Sequence, residues 1–247
     1  MKCLCVIPSR IGSTRLPRKP LLPIKGKPMV QWVYENARSC PAISEVIVAT
    51  DSEEIAAVIQ AIDGNVMLTP SDLPTGSDRV AFAASCYPDV DVVINLQGDE
   101  PFVTSTMLLE LITPYLEGES PSMTTLAYPL KPSDYHNPDI VKVILDRNNY
   151  AIYFSRSPIP FFRTDNKTIA PPVYHHVGLY AFKRDFLKCY TELAPTPLEQ
   201  IEMLEQLRAI ENGYKIKVCL TTQATLEINT FAEYEQAQLF ADTTRVA

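Results

Sequence analysis

Neither a Walker arrangement of glycines before Lys-Ser/Thr nor a G-x-G-x-x-G occurs in these 247 residues. The absence argues against a P-loop nucleoside triphosphatase and against the common dinucleotide site. No run reaches the roughly 18 apolar residues of a membrane span. The first apolar run is broken by Pro8 and Arg10 too early for a signal peptide, so a cytoplasmic protein is expected. A basic surplus is also missing: 22 Lys and Arg against 29 Asp and Glu leave a net charge of -7, the wrong sign for a general nucleic-acid binder. C-x-x-C is absent, and His136, His175 and His176 follow no zinc pattern. The six scattered cysteines suit small buried side chains in a reducing compartment.

What is present is ordinary for a globular chain, 46% hydrophobic and 21% charged, with no linker or repeat, and one α/β domain over residues 1–247 is expected. Strand-like runs at 4–8, 46–50, 65–68 and 90–95 alternate with helical patterns after Met29, Ile55 and Val80. That alternation implies a mostly parallel central sheet. Asp51-Ser52-Glu53-Glu54 has the form of a helix cap with acidic first-turn residues. The proline-dense middle, with strand-like runs at 123–130, 140–145, 150–154 and 176–182, suggests a protruding β-rich arm or hairpin of the kind that packs on a second copy in a homodimer. A long helix is expected over 197–212, ended by Gly213, then a strand at 216–220 and a last helix at 230–240.

Two segments carry chemistry. Leu96-Gln97-Gly98-Asp99-Glu100-Pro101 puts an Asp where a buried strand ends, the edge at which open parallel sheets collect ligands, and a carboxylate there can hold a divalent cation against phosphates. The loop after the first strand gathers Arg10, Arg15, Arg18 and Lys19, whose side chains can orient a triphosphate and stabilise a departing pyrophosphate.

The order of motifs, Pro8-Ser9-Arg10, Ser13-Thr14-Arg15-Leu16-Pro17, Lys19-Pro20-Leu21, Ala49-Thr50-Asp51, Thr75-Gly76-Ser77-Asp78-Arg79, Gln97-Gly98-Asp99-Glu100-Pro101, Tyr153-Phe154-Ser155-Arg156 and Glu205-Gln206-Leu207-Arg208, closely resembles the 3-deoxy-manno-octulosonate (KDO) cytidylyltransferase family over nearly the whole chain. The resemblance implies a Rossmann-like nucleotidyltransferase fold, a magnesium-dependent homodimer, and activation of KDO or a close analogue by CTP for lipopolysaccharide synthesis. It assigns Arg10, Arg15 and Lys19 to the triphosphate, Ser13 to substrate binding, Gly76, Ser77 and Arg79 to cytosine and ribose, and Asp99 to Mg2+, with Asp99, Arg15 and Lys19 as the catalytic set. Gln97, Arg156, His176, Tyr180, Glu205, Gln206 and Arg208 fall to the sugar-acid pocket. Plainer roles stay open: His176 and Tyr180 can pack on one strand face, and Glu205 can pair with Arg208.

Two positions depart from the family pattern. Arg18 stands where the family has Gly, adding a cation and restricting the backbone beside the triphosphate. Asn229 stands where the family has a second metal-binding Asp. Asn229 can still coordinate through its carbonyl, Glu227 can restore the charge, or Asn229 can simply cap the last helix. The alternatives are a sialic acid-type cytidylyltransferase and a catalytically weak protein that binds CTP and a sugar acid.

Overall fold

A computed structural model of the chain describes residues 1–12, 16–163 and 173–244. They fall into two compact units, Met1–Leu109 with Thr225–Ala247, and Glu110–Ala224. Both the α/β class and the mostly parallel sheet are as expected from the alternation of apolar runs and helical patterns.

In the first unit, β1 (Cys3–Ser9) is buried along all of its seven residues, which is why it reads as an unbroken apolar run. A short hairpin, β2 (Pro23–Ile24) and β3 (Lys27–Pro28), leads into α1 (Met29–Arg38). Met29, Val30, Val33, Tyr34 and Ala37 form the buried stripe of α1 at helical spacing. There follow β4 (Glu45–Thr50), α2 (Glu53–Gln60), β5 (Val66–Leu68), α3 (Gly76–Ser85) and β6 (Val92–Asn95). Ser52 caps α2 by accepting the Ile55 N–H, and Thr75 and Asp78 form a reciprocal capping box on α3. The four longer strands lie in the order β6-β1-β4-β5, all parallel. Ser9, Thr50 and Leu68 are in register, so the chain leaves β1, β4 and β5 at one edge. Helix α4 (Ser105–Leu116), which the sequence patterns did not single out, carries the chain from the first unit into the second.

The second unit holds β7 (Met123–Pro129), β8 (Lys142–Leu145), β9 (Ala151–Ser155), β10 (Val173–Lys183), α5 (Arg184–Glu192), α6 (Pro197–Glu202), α7 (Leu207–Glu211) and β11 (Ile216–Leu220). Strand β7 pairs antiparallel with β10 and parallel with β11, while β8 and β9 form the hairpin expected in the proline-dense middle. The long helix expected over 197–212 is instead two short ones. Met203 takes a left-handed backbone (φ 54) and ends α6, a break that nothing at the Met itself announces.

The chain then returns to the first unit as α8 (Phe231–Thr244). Its capping box is built by Thr230 and Glu233, so the cap is not the work of Asn229. Ile228, Ala237 and Ala241 pack with Leu16, Ile24, Met29 and Phe102, and the Ile228 N–H donates to the Asp99 carbonyl at 3.0 Å. That bond sets the 227–229 segment alongside Asp99.

Candidate active site

A cavity of about 410 Å³ opens at the carboxyl edge of the parallel strands, and every residue lining it belongs to the first unit. Arg10, Lys19, Gly76, Arg79, Gln97, Asp99, Glu227 and Asn229 all reach it. Ser13 and Arg15 lie outside the described residues.

The turn after β6 is shaped by Gly98. A Cβ there would overlap Ser9 Oγ and lie 3.2 Å from the Pro8 carbonyl oxygen, so Gly lets the turn close on the end of β1 without displacing Ser9. The closed turn delivers Asp99. Lys19 Nζ donates to Asp99 Oδ2 at 2.5 Å and to Asn229 Oδ1 at 3.1 Å. Asn229 Nδ2 in turn donates to Glu227 Oε1 at 2.5 Å. One amide therefore bridges a cation and a carboxylate. The other Asp99 oxygen, Oδ1, is buried and has no hydrogen-bond partner among the described residues. Desolvation at the cavity wall and the neighbouring Asp99 charge raise the Glu227 carboxyl above its ordinary range. Burial pushes the Glu100 carboxyl well above its ordinary range, with the charges of Glu227 and Asp99 adding to it, and its Oε2 accepts from Thr225 Oγ1 at 2.9 Å. Sequence patterns gave no sign of that burial, since Glu100 follows Asp99 as an ordinary second carboxylate.

Arg18 does not add its charge to this wall. Its guanidinium forks onto Glu54 of α2, and its backbone is left-handed (φ 58), the conformation Gly adopts most cheaply.

On the other side of the cavity Arg79 is only 2% exposed, its Nη2 donating to Asp51 Oδ2 at 3.1 Å and its Nη1 to Thr69 Oγ1. Gln97 Nε2 donates to Asn95 Oδ1 at 2.6 Å, and Asn95 Nδ2 reaches Ser77 Oγ at 3.4 Å. A Cβ on Gly76 would come within 3.3 Å of the Gln97 amide, so Gly76 keeps room for that side chain.

The remaining candidate residues lie in the second unit. His176 is buried beside Phe154 and Tyr180, with ring centroids 4.8 and 5.6 Å away. Thr125 Oγ1 directs its single proton toward the Val177 and Leu179 carbonyls, so the His176 Nε2 at 2.9 Å is the donor to Thr125. Burial lowers the His176 pKa to about 3, with a smaller push from His175, which leaves a neutral ring. An aromatic row runs from Tyr180 through Phe182 to Tyr190, whose hydroxyl donates to the Glu205 carbonyl at 2.9 Å. Arg208 does not pair with Glu205. It forks onto Glu199 at 2.6 and 2.9 Å and donates to the Leu193 carbonyl. Gln206 is buried, and its Nε2 has no partner among the described residues. Arg156 is held by the Glu202 and Pro138 carbonyls. Its own carbonyl, with those of Asn137 and Ile140, receives the ammonium of buried Lys142, an anchor no sequence pattern indicated.

Comparison with known proteins follows the same lines. A family model described as Cytidylyltransferase matches residues 4–216. A 3-deoxy-manno-octulosonate cytidylyltransferase of Acaryochloris marina is 54% identical over 241 residues, 97% of each chain. One from Synechococcus elongatus is 47% identical over 98% of each. The solved structure of CMP:2-keto-3-deoxy-manno-octonic acid synthetase complexed with CTP has a TM-score of 0.92 at 37% identity, covering 99% of this chain and 100% of that one.

Proposed function

We infer the activity from one premise: the chain belongs to the cytidylyltransferase family. It transfers CMP from CTP to KDO, releasing pyrophosphate, the reaction its relatives' names describe. The observation that carries this reading in the molecule itself is the wall formed by Lys19, Asp99, Asn229 and Glu227, a cation and oxygen donors set at the carboxyl edge of a parallel sheet.

The anomeric hydroxyl of the sugar acid attacks the α-phosphorus of CTP in line. A new O–P bond forms, the bond to the bridging oxygen breaks, and pyrophosphate leaves with that electron pair. Lys19 and Arg10 hold the triphosphate and stabilise the departing charge, a role in which fixed charges need no reorganisation. Arg79, Gly76 and Ser77 take the nucleoside. Gln97 in the first unit, and Arg156, His176, Tyr180, Glu205, Gln206 and Arg208 in the second, are the groups that the family resemblance assigns to the sugar acid. Because Arg208 is committed to Glu199, it serves there by bracing the α6–α7 segment.

Magnesium fits the first unit's wall. Asp99 Oδ1 is buried and unpaired, Glu227 is a second hard oxygen donor, and the Asn229 carbonyl a third. Mg2+ needs only one or two carboxylates when substrate phosphates complete its shell. Bound by these groups, it supplies neutralisation of phosphate charge and a lower pKa for the attacking hydroxyl.

The family match runs through both compact units, which supports one cytidylyltransferase domain over residues 1–247. A homodimer is supported by the second unit's exposed apolar side chains, Ile152, Phe161, Phe162, Ile201 and Met203. Ser155 and Arg156 both bond Glu202, so the ends of β9 and α6, which carry part of this patch, adjoin. No helix among the described residues is long and apolar enough to cross a membrane, in keeping with a cytoplasmic enzyme that supplies lipopolysaccharide synthesis.

Pyrophosphate release from CTP across a panel of KDO, amino-substituted KDO and sialic acid tests the substrate. KDO or its amino analogue is expected to turn over fastest; a preference for sialic acid sinks the assignment. Binding of CTP and sugar with no turnover in folded, magnesium-supplied protein leaves a binding protein instead.

A further inference from the structure

We propose that Asp51 and Thr69 are positioning residues that set the choice of nucleobase through Arg79. The proposal rests on the reading of the cavity as a CTP site and adds the residues that give it base selectivity.

Arg79 walls the cavity yet is almost wholly buried, and a buried guanidinium persists only when paired and hydrogen-bonded. Its partners come from two different strand ends. Asp51 follows β4, and Thr69 follows β5. Those ends are themselves locked, the Thr69 N–H donating to the Thr50 carbonyl at 2.8 Å and Thr50 Oγ1 accepting from Ser52 N at 3.1 Å. The guanidinium is thus clamped on two sides, and its fork keeps further N–H donors for a ligand.

The pairing also decides what that ligand group is. With the Asp51 carboxylate beside it, the buried Arg79 pair carries no net charge and suits an uncharged acceptor better than a phosphate. Cytosine offers acceptors at N3 and O2, whereas uracil carries a hydrogen on N3. A guanidinium held at one angle donates to the first pattern and meets a donor in the second. Freed from its clamp, it can settle for the O2 both bases share, and selectivity falls.

The test uses the full chain with KDO and Mg2+, reading kcat and KM for CTP and UTP together with the melting temperature. Thr69→Val removes the hydroxyl at nearly constant volume; Thr69→Ser keeps it. Thr69→Val is expected to raise the CTP KM about tenfold, leave kcat within about twofold, and cut the CTP-over-UTP ratio of kcat/KM about tenfold, the scale of one hydrogen bond to a charged group. Thr69→Ser is expected to match the wild type. A folded Thr69→Val protein with the wild-type ratio overturns the proposal, whatever its melting temperature. Should that variant not fold, Asp51→Asn, which retains an acceptor oxygen, reads the same ratio, and an unchanged value again overturns it. Wild-type protein that neither binds nor turns over CTP removes the CTP reading and this inference with it, an outcome distinct from unchanged selectivity in an active enzyme.

Discussion

Asn229→Asp strikes the cavity wall at its most crowded point. The wild-type amide accepts from Lys19 Nζ at 3.1 Å and donates to Glu227 Oε1 at 2.5 Å. In the variant the donor becomes a carboxylate oxygen facing a carboxylate. Two unit charges relaxed to about 4 Å repel by about 4 kcal/mol at an effective dielectric of 20. Attraction to Lys19 is of similar size, but Asp99 already claims that ammonium and adds its own repulsion. After allowance for solvent at the mouth of the site, a net loss of about 1–2 kcal/mol is expected in the metal-free protein. For a chain of this size that is a fall of about 3–6 °C in Tm in EDTA. Mg2+ relieves the repulsion, so it is expected to raise the variant's Tm more than the wild type's and to lower the magnesium needed for half-maximal rate. Glu227→Gln is expected to act oppositely, raising that concentration about tenfold, because Glu227 supplies the charge that Asn229 lacks. Thermal melts with and without Mg2+, and pyrophosphate release against Mg2+, are the two assays. Identical curves for wild type, Asn229→Asp and Glu227→Gln would refute the reasoning and remove this segment from the metal site.

Gly98→Ala forces a Cβ against Ser9 and is expected to cost about 1–3 kcal/mol of stability while lowering turnover far more, since Asp99 is displaced; equal activity in a thermally shifted variant would contradict this. Glu199→Gln breaks a carboxylate fork on Arg208 in which both side chains are about 10% exposed, and a loss of about 3–5 kcal/mol in urea unfolding is expected, against no change if the pair is idle. His176, lowered to about 3 by burial, contributes stability that is complete above the ordinary value of 6.5 and is lost as pH falls toward 3, because the unfolded chain takes the proton first. The expected slope is about 1.4 kcal/mol per pH unit in that window, reduced in His176→Gln, and chemical denaturation between pH 7 and 4 measures it.

Much of the first unit was legible because its signals are local. Buried parallel strands read as unbroken apolar runs, and Ser52 announces its helix by the acidic residues after it. What escaped depends on contacts between distant residues or on backbone geometry. Met203 in a left-handed conformation splits one expected helix into two, and the break brings Glu199 rather than Glu205 to Arg208. Lys142 satisfies three carbonyls from two separate stretches, a meeting no periodicity encodes. Arg18 appeared to be a fourth phosphate cation until Glu54, 36 residues on, was seen to hold it. At the site, Asp99 and Lys19 stood out by position after their strands, but the bridge from Lys19 through Asn229 to Glu227 required the C-terminal segment to be seen folded against the turn.

Pyrophosphate release from CTP, KDO and Mg2+, compared between wild type and Asp99→Asn, bears most directly on the wall as the reacting centre. Wild type is expected to turn over and to stop when magnesium is chelated. Asp99→Asn is expected to keep the fold, with its melting temperature within a few degrees because the carboxylate is partly exposed and lies in the turn after β6, and to lose turnover. Metal-independent activity in the wild type, or an Asp99→Asn protein that stays folded and fully active, would contradict the assignment.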